Sequence, residues 1–259
     1  MDKNLYKIEN LSTPFIAVVL HDGHYISEEL KPFLLLSEHE RAREEDPYTW
    51  HMAEHLPVTK VRVYPSRFQT DLNRHKEKAV YLQPEVAWGL HVWNNLPEEY
   101  ISALHIDYDN FYRDIYQLID DTIHKHGFAV ILDIHTYNHR RESPVDSASQ
   151  ETHPDINLGT FYNHDTWKKL FTAYNSFIKD YEIKGKKQDI RENIIFKGGG
   201  FAQQVIKKYN DKCGVLSIEF KKTFMDEWTG IADISHVSEI KNFLSVSLEY
   251  LQKETNHYK

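Results

Sequence analysis

The sequence predicts an α/β fold, a three-layer α/β/α arrangement around a mostly parallel mixed sheet, and two features carry that expectation. Phe15-Ile-Ala-Val-Val-Leu20 and Phe128-Ala-Val-Ile-Leu-Asp-Ile134 are apolar, β-branched runs of strand length, the pattern of strands covered on both faces. A helical periodicity directly precedes the second run, and that helix-to-strand order is the mark of parallel βαβ units. With 259 residues, 41% of them hydrophobic, the chain can bury a full core. A single domain over 1–259 is expected.

The first strand, Phe15 to Leu20, runs into His21-Asp22-Gly23-His24. Lys60 to Phe68 alternates like an edge or half-exposed strand until Pro65 stops it. Between Ile101 and His126, Phe111, Ile115, Leu118, Ile119 and Ile123 recur at helical spacing with charges opposite, and Gly127 closes the helix. The second buried strand then leads into His135. Arg140 to His164 is polar and rich in Ser, Pro and Asn, and reads as a long active-site loop or lid. A helix over Asp165 to Tyr181, a strand at Asn193 to Phe196, the Gly198-Gly199-Gly200 turn and a short helix to Tyr209 follow. A strand from Gly214 carrying Glu219 and an amphipathic helix from about Ser235 to Leu251 complete the order.

Composition excludes several classes of function. The net charge is −8 and the lysines are scattered among acids, which argues against a nucleic-acid partner, since phosphate backbones are bound by clustered Lys and Arg. A single cysteine, Cys213, rules out an intramolecular disulfide and a thiolate metal cluster, in keeping with a reducing compartment. Cys213 opens a strand and reads as inert. Met1 to Asn10 lacks the apolar core of a signal peptide, and no run approaches the length of a membrane span. A cytoplasmic location without a membrane partner is expected. Most of the 16 histidines read as surface residues.

Glu219 stands between apolar neighbours near the end of its strand. An ionised carboxylate withdrawn from water without a partner costs several kcal/mol, so Glu219 is either paired with a cation or held with a raised pKa for proton transfer. His21, His135 and Glu219 each fall at or near the C-terminal end of a predicted buried strand, the edge at which open α/β sheets bind ligands. His21, His24 and His135 have the arrangement of a zinc site with one position left open. Three neutral imidazoles leave the metal its full charge and lower the pKa of water to about 7, with Glu219 as the base. Asp22 competes with His24 as a ligand. Asp133 reads either as an acceptor behind His135 or as a polar strand end, and His139 as a loop residue. Arg67 and the run Asp71-Leu72-Asn73-Arg74 offer donors for a carboxylate or a developing oxyanion. On spacing alone such arginines more often join a surface salt-bridge network.

These segments occur in an informative order: His-Asp-Gly-His after an apolar strand, Asp-Leu-Asn-Arg about fifty residues later, then Leu-Asp-Ile-His-Thr, Phe-Lys-Gly-Gly-Gly and Leu-Ser-Ile-Glu-Phe-Lys-Lys-Thr-Phe-Met-Asp-Glu. Together they resemble the N-formylglutamate amidohydrolase family, from about Phe15 to Gly230. The most specific parts are the Asp-Leu-Asn-Arg run and the Glu219 segment. That family is similar to the wider group of zinc carboxypeptidases and aspartoacylases, whose metal sites use His-x-x-Glu plus a later His and whose Asn-Arg pair binds the substrate carboxylate.

The resemblance implies that His21 and His135 bind zinc, that Asn73 and Arg74 grip a substrate carboxylate, that Arg67 polarises the scissile carbonyl and that Glu219 shuttles the proton. Three positions depart from the pattern. His24 stands where the wider group has its ligand glutamate, His-Asp-Gly replaces His-Ser-Gly, and Phe220 to Lys222 replaces the Asn-Arg ending after the base. The expected function is zinc-dependent hydrolysis of a small-molecule N-acyl amino acid, with N-formylglutamate the first substrate. A carboxypeptidase-like peptide or cell-wall hydrolase and a non-catalytic binding protein on the same scaffold are the alternatives.

Overall fold

A computed structural model describes residues 5–256; residues 1–4 and 257–259, which belong to the expected polar N-terminus and 1–259 domain, lie outside that description. The chain runs β1 (Tyr6–Glu9), β2 (Phe15–Val19), α1 (Glu38–Glu44), α2 (Thr49–Ala53), β3 (Thr59–Val63), α3 (Glu98–His126), β4 (Ala129–Tyr137) and β5 (Ile156–Gly159). It continues with α4 (Asp165–Ile178), β6 (Glu182–Ile183), β7 (Lys186–Lys187), β8 (Ile190–Glu192), α5 (Gly200–Tyr209), β9 (Cys213–Lys221) and α6 (Ile234–Thr255). Seven strands form one sheet in the order β1-β3-β2-β4-β9-β5-β8, and β6 and β7 pair separately. The pairs β3/β2, β2/β4, β4/β9 and β5/β8 are parallel; β1/β3 and β5/β9 are antiparallel.

Side chains alternate across a strand, and in β4 this separates two cores. Val130, Leu132 and Ile134 join Leu216, Ile218 and Phe220 of β9 on the face covered by α2, α4 and α6. Ala129 and Ile131, with Cys213 and Val215, face α3 and α5 on the opposite side. That second face changes character toward the strand ends, where the next odd positions are Asp133, His135 and Ser217, Glu219. The three-layer α/β/α architecture and mostly parallel mixed sheet are those expected. Among the described residues no helix is long and apolar enough to cross a membrane.

Three elements differ from expectation. β3 has the half-exposed alternation expected of it, with Thr59, Val61 and Val63 buried and Lys60 and Arg62 partly exposed, but it does not lie at the sheet edge, because β1 pairs outside it. The polar segment after β4 is interrupted by β5, which lies antiparallel to β9. The strand expected at Asn193 to Phe196 lies at Ile190–Glu192 instead. Asn193 adopts φ 57°, a left-handed conformation that ends an extended strand, and its Oδ1 accepts from Thr160 N and Phe161 N. The short helices α1 and α2 had no expected counterpart. α1 begins with a capping box in which Ser37 and Glu40 satisfy each other's backbone amides.

Candidate active site

The parallel strands deliver their polar ends to one cavity. His135 and Glu219 are register partners on β4 and β9, with Asp133 and Ser217 paired one step earlier on the same face. His21 follows β2 at the same sheet edge, and its ring centroid lies 4.9 Å from that of His135. The third member comes from the link between α1 and α2. Asp46 Oδ2 sits 2.9 Å from His135 Nδ1 and 3.3 Å from His21 Nδ1, and its backbone N–H donates to the His21 carbonyl at 2.9 Å.

The far nitrogens of both rings are also fixed by carboxylates. His21 turns Nε2 to Asp71 Oδ1 at 2.8 Å, and His135 turns Nε2 to Asp133 Oδ1 at 2.8 Å. Asp133 is held in turn by the Ser217 hydroxyl at 2.9 Å. Burial by itself would raise the Asp46 carboxyl; the hydrogen bonds and charges of His135 and His21 outweigh it and hold the group well below the usual carboxylate range. Burial acts the other way on His135, lowering it, but Asp133 and Glu219 hold this imidazole well above its ordinary value.

Glu219 is pushed up to about 8, first by burial, which His135 opposes and which the charges of Asp46 and Asp133 reinforce. A carboxyl in that range can both take and return a proton near neutral pH. It lines a cavity of about 640 Å³ together with His21, Asp46, His135, Arg67 and Arg74.

Three guanidinium groups surround one indole at the wall of this cavity. Arg67, Arg141 and Arg74 lie 4.7, 5.2 and 5.8 Å from the Trp88 ring centroid. Arg67 is clamped by Asp71 Oδ2 through Nη2 at 2.8 Å and Nε at 3.2 Å, and Asp71 also accepts from the Tyr81 hydroxyl. Arg141 donates to Glu44 at 2.8 Å. Arg74 has a side chain 40% exposed, and its nearest carboxylate, Asp71, is 3.8 Å away. Asn73 is engaged by the glycine turn: its Oδ1 accepts from Phe201 N at 3.0 Å and its carbonyl from Gly200 N at 2.8 Å. Its Nδ2 lies 3.4 Å from His135 Nε2.

Of the residues expected at the site, the fold gathers His21, His135, Glu219, Arg67, Asn73 and Arg74 around one cavity. His24 does not join them. Its side chain is 44% exposed and its Nδ1 bonds Glu45 at 2.5 Å, while Arg41 Nη1 donates to its carbonyl at 2.8 Å. Beside it, only a glycine fits at position 23, since a Cβ there would lie 2.2 Å from the Tyr64 carbonyl oxygen. The chain at this point presses against the backbone that follows β3. Asp22 is engaged elsewhere as well, with Arg62 at 3.0 Å and the Trp50 amide at 3.1 Å.

Asp46 and the ring-orienting role of Asp71 were not singled out from sequence. The acidic run Glu44-Glu45-Asp46 before Pro47 was the only local signal for Asp46. The profile of the N-formylglutamate amidohydrolase family matches residues 13–225. The chain belongs to the N-formylglutamate amidohydrolase family. The family implies an amidohydrolase acting on a small-molecule substrate.

Solved structures agree on the fold. The N-formylglutamate amidohydrolase of Ralstonia eutropha JMP134 superposes with a TM-score of 0.77 at 13% identity, over 96% of this chain and 97% of that one. A gene product of Agrobacterium tumefaciens gives 0.70 at 18% identity, over 97% and 96%. No curated protein sequence matches the chain.

The donor set fits a metal ion. His21, Asp46 and His135 are buried and each offers a ligand atom within 4.8 Å of the others. Two imidazoles and one carboxylate, with each ring's second nitrogen anchored to an acid, are donors of the kind that could hold a divalent metal ion.

Proposed function

We propose that this amidohydrolase is zinc-dependent, that His21, Asp46 and His135 hold the ion, and that N-formylglutamate is its substrate. The observation that supports this reading most directly is the His21, Asp46 and His135 cluster beside Glu219, within the cavity lined by Arg67 and Arg74. Zinc at such a centre supplies Lewis acidity, polarising an acyl oxygen and bringing the pKa of water toward about 7.

The chain's own groups do the rest. Glu219 accepts a proton from the attacking water and passes it to the leaving amine nitrogen, so that the C–N bond breaks to give carboxylate and free amino acid. The Arg67 guanidinium, fixed by Asp71, stabilises negative charge developing on the acyl oxygen without first having to reorganise. Asn73 and Arg74 receive a substrate carboxylate, and Arg141 beside Trp88 provides a second cationic position for the other carboxylate of an acidic amino acid.

The test is turnover of N-formylglutamate by zinc-loaded protein with and without Glu219→Gln. Loss of general acid–base catalysis lowers kcat by roughly 10²- to 10⁴-fold. Near-normal turnover by the metal-loaded variant would show that Glu219 is not the proton shuttle.

A further inference from the structure

Lys222 is a buried cation with no part in the proposed chemistry. It follows β9, three residues beyond Glu219, and is only 1% exposed. Its ammonium donates to three acceptors, the carbonyls of Arg43 and Glu45 and the Asn138 side-chain oxygen, each at 2.7 Å. All three of its N–H bonds are therefore used, and none of them goes to a carboxylate. Burial drives this amine downward, with Asp46, Glu44 and Glu227 opposing through space. An apolar side chain would fill the position without the cost of desolvating a charge, so the three hydrogen bonds are what the ammonium contributes.

Those bonds fall where the metal centre is otherwise least supported. His135 lies on a long strand paired on both sides, but Asp46 sits in the short link between α1 and α2. The Glu45 carbonyl and the Asp46 N–H belong to one peptide unit. Lys222 holds its oxygen, and the His21 carbonyl accepts from its nitrogen at 2.9 Å. The Arg43 carbonyl, at the end of α1, is one of those a helix leaves without an internal partner. Asn138, just beyond β4, ties the same ammonium to the strand that carries His135. Lys222 thus joins the ends of β4 and β9 to the segment that carries Asp46.

We propose that Lys222 is a positioning residue that sets zinc affinity by fixing the 45–46 peptide and with it the Asp46 carboxylate. The inference rests on reading His21, Asp46 and His135 as the zinc ligands. Two consequences of removing the ammonium oppose each other, which makes the outcome diagnostic. Losing a nearby positive charge favours a bound cation, whereas freeing the Asp46 segment disfavours it.

The experiment measures zinc dissociation constants of wild type, Lys222→Met and Lys222→Gln by competition with a chromophoric chelator. Thermal melts of the metal-free proteins identify the temperature range in which each is folded, and hydrogen exchange reports the Asp46 amide. Fixing the segment should dominate: Lys222→Met weakens zinc binding about 10- to 100-fold, as loss of an outer partner of a ligand does. Lys222→Gln, which keeps two N–H donors without the charge, falls between it and wild type, and the Asp46 amide exchanges faster in both while β4 and β9 stay protected. If Lys222→Met does not fold, Lys222→Gln decides by the same measure. Unchanged or tighter zinc binding by a folded variant overturns the proposal. Wild-type protein that binds no zinc removes the metal reading itself, and the proposal falls with it.

Discussion

Replacing Asp46 with Asn and, separately, His24 with Gln sets the geometry of the cluster against the spacing of the histidine motif. Asp46 Oδ2 lies 2.9 Å from His135 Nδ1 and 3.3 Å from His21 Nδ1, whereas His24 spends its Nδ1 on Glu45. Asparagine keeps the shape of the side chain and removes its charge. Loss of an outer partner already costs about 10- to 100-fold in metal affinity, so loss of a direct ligand should cost at least ~100-fold, about 2.7 kcal/mol at 1.36 kcal/mol per decade. His24→Gln removes a partly exposed hydrogen bond, and Glu45 keeps Ser66 and Arg41 as partners. Zinc affinity should therefore change by less than about 3-fold, and stability by no more than about 1.5–3 kcal/mol, the scale of one hydrogen bond to a buried charged group. Chelator competition gives the affinities, and melts of the metal-free proteins establish that both variants are folded. A His24→Gln protein that lost zinc, beside an Asp46→Asn protein that kept it, would refute the assignment of Asp46.

The cavity wall and the glycine turn give two more expectations. Arg141→Ala should raise KM for N-formylglutamate about 10-fold, the lower end of a charge-assisted hydrogen bond, and alter turnover of a formylated neutral amino acid far less; equal losses on both substrates in steady-state assays would deny Arg141 a substrate-selecting role. Gly199→Ala puts a Cβ 2.1 Å from Asn73 Oδ1, which must then give up the Phe201 amide, so denaturant titration should show a loss of about 1–3 kcal/mol, and an unchanged midpoint would mean that the turn relaxes freely.

The sheet was legible because burial on both faces leaves a signal that needs no tertiary knowledge. Phe15–Val19, Ala129–Tyr137 and Cys213–Lys221 are each buried along their whole length, and their apolar runs say so in one dimension. His135 and Glu219 were legible for the same reason, as polar residues standing in such runs near the ends of parallel strands. The edges were harder to read. β1 and β8 are short and partly exposed, and β5 lies inside a polar segment, so their pairing depends on neighbours that arrive from elsewhere in the chain.

The residues proposed to hold the metal divide along the same line. A spacing of three residues fixes the relative direction of two side chains only within one regular element. His21 and His24 lie beyond the end of β2, in a segment where Gly23 is pressed against the chain after β3. There a separation of three residues fixes nothing, and His24 points to Glu45 instead. Asp46 reaches His135 across 89 residues, from a link whose position is set by α1, α2 and the Lys222 ammonium rather than by any local pattern. A carboxylate delivered that way leaves no periodic trace. Where a predicted site lacks one ligand, the place to look is the irregular segment packed over the strand ends, since strand periodicity can reveal only those ligands that the strands themselves carry.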